Sequence, residues 1–244
     1  MNKFLSTAMA QLAIDFNCTP EDFTKDSITF CEAKENPGRR PFNRKTPHID
    51  MATMGNGVVI SATTDILPTL RKQLNGKSRD EAFTLPFVQG TAIYFLPLGH
   101  LAPLSHTGNF TLGIFDQGAI PTLYAHKGFE NALGYNENHP RPDILAVVAK
   151  QNDTIVGIAG ASADCDMLWQ IGIDILPPYR GQGLAAILTN RLAIEIIKCG
   201  KVPYYGTASS NIISQKVALR AGLSPAWVCM YSRYSTPTIF PAED

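Results

Sequence analysis

The stretch from Ile171 to Ala193 constrains the fold more than any other. An apolar run ends at Pro177 and Pro178, Arg180, Gly181 and Gly183 follow, and a helical pattern starts at once. Residues 167–176 alternate large apolar side chains with Gln170, Gly172 and Asp174, the pattern of a strand with one covered face. Leu184, Leu188, Leu192 and Ile196 recur every four residues, supported by Ile187, and Gly200 closes the helix. A strand that enters a helix through a glycine turn leaves amide N–H groups unpaired at the helix start. The helix dipole adds partial positive charge there. Gly181 and Gly183 carry no side chain to block a ligand, and Arg180 adds a fixed charge. The turn therefore reads as a cradle for pyrophosphate.

The elements around it predict an α+β fold. In residues 1–16 the apolar side chains Phe4, Leu5, Ala8, Met9, Leu12 and Phe16 recur at helical spacing, which predicts an amphipathic helix. Residues 20–55 are polar with no clear period. A strand is expected at 57–62, a helix at 64–74 with Pro68 in its first turn, and a strand at 91–99. The punctuated stretch 100–109 divides a smaller α/β region, residues 1–105, from a second part, residues 110–244. In that second part the pattern predicts a strand at 110–116 and one or two short helices within 119–135. A hairpin follows around Gln151, Asn152 and Asp153. After the long strand and its helix come a strand at 201–208, a helix at 211–222 and a strand at 226–234. The sum is a mixed, mostly antiparallel sheet flanked by helices.

Charge and composition exclude several functions. Lys plus Arg and Asp plus Glu are 21 each, so no basic field exists to hold nucleic acid by counterion release. The densest basic patch, residues 38–45, reads as a solvated loop. The five cysteines form no CxxC pair and point to free thiols in a reducing compartment. The five histidines form no zinc pattern, so no metal is expected. Neither a signal peptide nor a membrane span is legible, and a cytoplasmic protein is expected.

Two kinds of phosphate cradle fit a glycine turn. Gly181, Gly183 and Ala186 match the dinucleotide pattern GxGxxG/A, which predicts a nucleotide-dependent oxidoreductase. Four residues separate the strand from the first glycine, however, and residues 202–210 hold no carboxylate to bind ribose. The other cradle fits better. Ile173 to Pro177, then Arg180-x-x-Gly183-x-Ala185, followed downstream by Asn211-x-x-Ser214 and Gly222-Leu223, resembles the GNAT superfamily of acyl-CoA N-acyltransferases. The likeness covers about the last 135 residues and extends to a bacterial subgroup with an extra N-terminal region.

That resemblance implies the rest. Backbone groups at Ile173 and Ile175 would bind the pantetheine arm of acetyl-CoA. Arg180, Gly181, Gln182, Gly183, Leu184 and Ala185 would hold the pyrophosphate, and Asn211 and Ser214 would reach the arm or the phosphates. A neutral amine, on a small molecule or a peptide, would attack the thioester, and a base would first remove its proton. Asp164 and Asp166 are the candidate bases, with Asp174 a further carboxylate on the strand. Tyr204 and Tyr205 read as core or cleft wall. The family's usual acid, a tyrosine four residues after the serine, is replaced by Ala218. A sensor that binds acyl-CoA without turnover is therefore the alternative. Neither nucleic acid nor membrane is expected as a partner, and a homodimer is compatible with this reading.

Overall fold

The computed structural model describes residues 2–40, 48–105 and 109–231. Its elements run α1 (Lys3–Phe16), β1 (Ile28–Glu32), β2 (Ile49–Thr53), β3 (Val58–Ala62), α2 (Leu67–Leu74), α3 (Arg79–Ala82), β4 (Gly90–Pro97), β5 (Thr111–Asp116), β6 (Asp143–Gln151), β7 (Thr154–Ala163), β8 (Leu168–Ile175), α4 (Leu184–Lys198), β9 (Val202–Ala208), α5 (Ile212–Arg220) and β10 (Leu223–Tyr231). The strands join in one sheet, ordered β1-β3-β2-β10-β4-β9-β8-β7-β6-β5. The β1–β3 and β8–β9 pairs are parallel. The other neighbours are antiparallel.

The sheet crosses the division expected at 100–109. β4 precedes that stretch in the chain, yet it lies between β9 and β10, which follow it. β10 also pairs with β2, through Val228 opposite Thr53. The split into 1–105 and 110–244 is thus a division of the chain and not of the sheet. Residues 106–108, within the expected boundary, lie outside the described residues.

Each face of the sheet has its own cover. Leu184, Leu188, Leu192 and Ile196 of α4 are buried against Val147, Ala159 and Ile171, with Ala218 of α5 in the same cluster. Removing one such leucine side chain costs about 2–5 kcal/mol. On the other face α1 buries Ala8, Leu12 and Phe16 against Tyr204 and Trp227. Adjacent residues of a strand point to opposite faces, so Tyr204 joins the α1 cluster while Tyr205 joins the α4 cluster. Asn2 fixes the start of α1: its side chain accepts from the Phe4 amide and donates to the Pro97 carbonyl at the end of β4.

Several expectations need correction. The one or two short helices expected within 119–135 reduce to one, the 3₁₀ helix Ile120–Ala125; Pro121, Gly128 and Gly134 interrupt any longer run. Its apolar residues Ile120, Leu123, Phe129 and Leu133 still pack on Ala146, Val148 and Ile158 of the sheet. The region 20–55 holds two strands, β1 and β2, each only five residues long, too short for a visible period. Part of the basic patch is not solvated. The Arg40 Nε donates to Asp15 Oδ2 at 2.6 Å, and the Arg39 side chain is 3% exposed; residues 41–45 lie outside the described residues, as do 232–234 of the last expected strand. Asn190, off the leucine stripe of α4, is buried as well. Its amide donates to the carbonyls of Ala102 and Ala221, and its oxygen accepts from the Leu104 amide.

Candidate functional site

The site begins where two parallel strands part. β8 and β9 pair from Leu168 opposite Val202 to Ile171 opposite Tyr205. Both strands continue, to Ile175 and to Ala208, but no longer to each other. A cleft of about 650 Å³ opens in the gap. Ile173, Ile175, Arg180, Gly181, Gly183, Leu184, Ala185, Asn211 and Ser214 all line it. Gln182 belongs to the same turn and does not line the cleft.

The turn supplies donors at one end. Gly181 and Gly183 have φ of 78° and 79°. A Cβ added at either would meet nothing within 4 Å. The glycines are therefore required by the left-handed backbone rather than by crowding. Gly183 is the N-cap of α4 and offers no side chain, so the first amides of the helix point into the cleft region uncapped. Arg180 is anchored: its Nε donates to the Ile175 carbonyl at 2.8 Å. Lys216 and Arg220 of α5 also line the cleft. They were missed in the sequence, although a spacing of four places both on one helix face.

At the fork the far wall is made by β9 and α5. The Asn211 side chain caps α5 by accepting from the Ser214 amide at 3.1 Å. The hydroxyls of Ser214 and Tyr205 are 2.7 Å apart, and both residues line the cleft. Burial pushes the Tyr205 phenol above its ordinary range; the Ser214 hydrogen bond opposes this and nearby Asp174 adds to it. Ala218 is fully buried in the α4 core.

A loop seals the opposite side. The Asp174 carboxylate accepts from the amides of Asn131 and Ala132, at 2.7 and 3.0 Å, and from the Asn131 side chain at 2.6 Å. Beyond the loop lies a second cleft of about 270 Å³, lined by Arg141, Asp143, Ser162 and others. Asn131, Gln170, Ile171 and Gly172 border both clefts, so the two meet at the fork.

The candidate bases fare differently. Asp164 is buried behind the second cleft and reaches it through a neighbour: the Ser162 hydroxyl donates to Asp164 Oδ1 at 2.9 Å. The other carboxylate oxygen, Oδ2, accepts from the Tyr204 hydroxyl and from Arg141. Arg40 lies against Tyr204, with its NH1 3.4 Å from the hydroxyl, and so joins this network to Asp15 on α1. Asp166 is not brought to either cleft. It precedes β8, at the end away from the fork; its side chain is 87% exposed and pairs with Lys201 at 2.8 Å. The single sheet position between it and Asp164 did not place them together, because the chain bends at 164–167 before β8 begins.

Among the described residues no helix is long and apolar enough to cross a membrane. The model of the family described as Acetyltransferase (GNAT) family matches residues 117–223. No curated protein matches. Among solved structures, an acetyltransferase from the GNAT family of Colwellia psychrerythraea is 15% identical over 58% of this chain and 56% of its own, with a TM-score of 0.42. A GCN5-related N-acetyltransferase from Sphaerobacter thermophilus is 16% identical over 70% and 57%, TM-score 0.46. The yncA protein of Salmonella typhimurium, solved with its cofactor acetyl-CoA, is 17% identical over 53% and 98%, TM-score 0.36. The matched chain thus spans under two thirds of the Colwellia and Sphaerobacter proteins.

Proposed function

We propose that the protein transfers an acetyl group from acetyl-CoA to an amine, taking as premise the match of residues 117–223 to the acetyltransferase (GNAT) family model. The observation that carries the reading is the fork: parted parallel strands lead from a narrow apex to an uncapped helix start. A CoA molecule has the matching shape, a thin pantetheine arm ending in a pyrophosphate. The free edge of β8 at Ile173 and Ile175 binds the arm through backbone groups. The amides after Gly183, with Arg180, Lys216 and Arg220, balance the phosphate charge. Ile213, 80% exposed at the cleft rim, offers apolar contact.

The acceptor amine enters through the second cleft and meets the thioester at the fork. A lysine-like amine has a reference pKa of about 10.4 and must lose a proton before it attacks. Ser162 takes that proton as it passes its own to Asp164, which the Tyr204 and Arg141 donors hold in place. A backbone amide of β8 near Gly172 stabilises the charge that develops on the carbonyl oxygen.

Ala218, with no hydroxyl, favours the second reading, an acyl-CoA sensor without turnover. One measurement tests both readings and a second separates them. Free CoA raises the melting temperature under both readings, and NAD under neither. Release of free thiol from acetyl-CoA in a panel of amines, above the rate without amine, occurs only if the protein is an enzyme. No thermal shift at millimolar CoA overturns both.

A further inference from the structure

We propose that Tyr205 is the general acid of the transfer, donating the proton that the departing CoA thiolate takes up; this rests on the acetyl-transfer reading above. Ala218 lies in the core with no exposed surface, so α5 presents no acid at that position. A hydroxyl from another element, β9, stands beside the first turn of that helix.

Tyr205 is that element's residue. It is the last β9 residue paired with β8, opposite Ile171, and so stands at the apex of the fork. Its ring points to the α4 and α5 face, edge-on to Phe95 with ring centroids 6.4 Å apart, which fixes its direction. Its hydroxyl meets Ser214, in the first turn of α5 and one helical turn before Ala218. When the Ser214 hydroxyl donates to the phenolic oxygen, the phenol's own proton is free to point into the cleft. Tyr204 is not available for this role: it faces α1 and its hydroxyl is committed to Asp164. The Tyr205 hydroxyl meets Ser214 from α5; the Asp174 carboxylate of β8, held by the loop at Asn131 and Ala132, acts on it only through its charge. Burial and the Asp174 charge both disfavour the phenolate, so the proton is present when it is needed.

The step balances. The amine nitrogen forms a bond to the acetyl carbon and its surplus proton leaves by the Ser162 side. The carbon–sulfur bond then breaks, and its electron pair passes to sulfur. Sulfur takes the Tyr205 proton and departs as the neutral thiol. Water returns a proton to the phenolate.

The test uses the full chain with Tyr205→Phe, which keeps the ring and removes the proton. CoA affinity by calorimetry is expected to stay within threefold. Turnover is expected to fall by about 10² or more, and the basic limb of the kcat profile to disappear. Replacement of Tyr205 by fluorotyrosine, whose phenol is more acidic, is expected to restore turnover and move the basic limb to lower pH. If Tyr205→Phe turns over within threefold of the parent with the same basic limb, the assignment is overturned. If Tyr205→Phe loses CoA binding, the fluorotyrosine protein decides: a basic limb that does not move overturns it. Failure of the parent protein to bind CoA would instead overturn the acetyl-transfer reading on which it rests.

Discussion

Gly160 and Gly172 face each other across β7 and β8, and a Cβ on either would lie 1.8 Å from a carbonyl oxygen of the loop above, that of Ala132 for Gly160 and of Asn131 for Gly172. Two strands have thus given up their side chains at one spot so that a loop can sit directly on the sheet. That spot borders both clefts. The pair had no visible meaning in the sequence, where the two glycines are twelve residues apart and the loop lies elsewhere.

Gly172→Ala is expected to lift the loop. No neighbour can yield cheaply, since the obstacle is backbone. A stability loss of about 1–3 kcal/mol follows from overpacking, read as a lower denaturation midpoint. The KM for the amine should rise more than the affinity for CoA falls, because the phosphate turn lies at the other end of the cleft.

Asp174→Ala removes the acceptor for three donors on the loop. The Asn131 donors are exposed and can turn to water, but leaving the part-buried Ala132 amide unpaired costs about 1–3 kcal/mol. Asp174→Asn keeps the shape but presents an NH₂ group to N–H donors, and is expected to be nearly as harmful. Steady-state kinetics should show a raised amine KM in both. An unchanged KM would mean that the loop does not shape the acceptor cleft.

The two carboxylates before β8 should separate cleanly. Asp164→Asn is expected to lower kcat by about 10² with CoA binding retained. Ser162→Ala should give a similar loss if the proton passes through the hydroxyl. Asp166→Asn should leave kcat within twofold, since its carboxylate reaches only Lys201 and solvent. A large loss in Asp166→Asn with none in Asp164→Asn would reverse the assignment.

At the phosphate turn, Gly183→Val places a β-branched residue at φ 79°. The left-handed backbone costs an ordinary residue about 1–2 kcal/mol, more for a branched one. The turn is expected to rearrange, and CoA affinity measured by calorimetry to fall at least tenfold. Gly183→Asn, which tolerates that backbone better, should lose less. Equal losses would point to crowding by the ligand rather than to the dihedral.

Arg40→Met tests the link between α1 and the second cleft. The substitution leaves Asp15 in a mostly buried place without its main partner, which costs about 3–5 kcal/mol. If the Arg40–Tyr204–Asp164 contacts matter for the reaction, kcat should fall at temperatures where the variant is still folded. Full kcat in the folded variant would make the network purely structural.

What was legible in the sequence depended on the range of the interactions. The strand–turn–helix at 168–198 is local, and its pattern showed both elements and the glycine turn between them. Asn211 and Ser214 were singled out by the resemblance, but Ser214's partner Tyr205 needed the packing of α5 on β9. Asp166 was a candidate only by the resemblance and its place before the long strand; the bend at 164–167 that turns its side chain out to Lys201 leaves no mark in the pattern. The Arg40–Asp15 pair was invisible because its members are 25 residues apart and the surrounding residues read as a charged loop. The same holds for the sheet: each strand could be seen in its own window, but not which strand would lie beside which.

The place of β4 between β9 and β10 bears on how the chain is made. A ribosome that has released residues 1–105 has delivered β4 without either of its lateral partners. Both edges of that strand then wait through the synthesis of about a hundred further residues. Unpaired edges of this kind invite association with other chains. The first segment is therefore expected to be poorly behaved when expressed alone. A cut within 100–105 in the finished protein, by contrast, would leave two pieces laced through one sheet, which should stay together on a sizing column until denaturant is added.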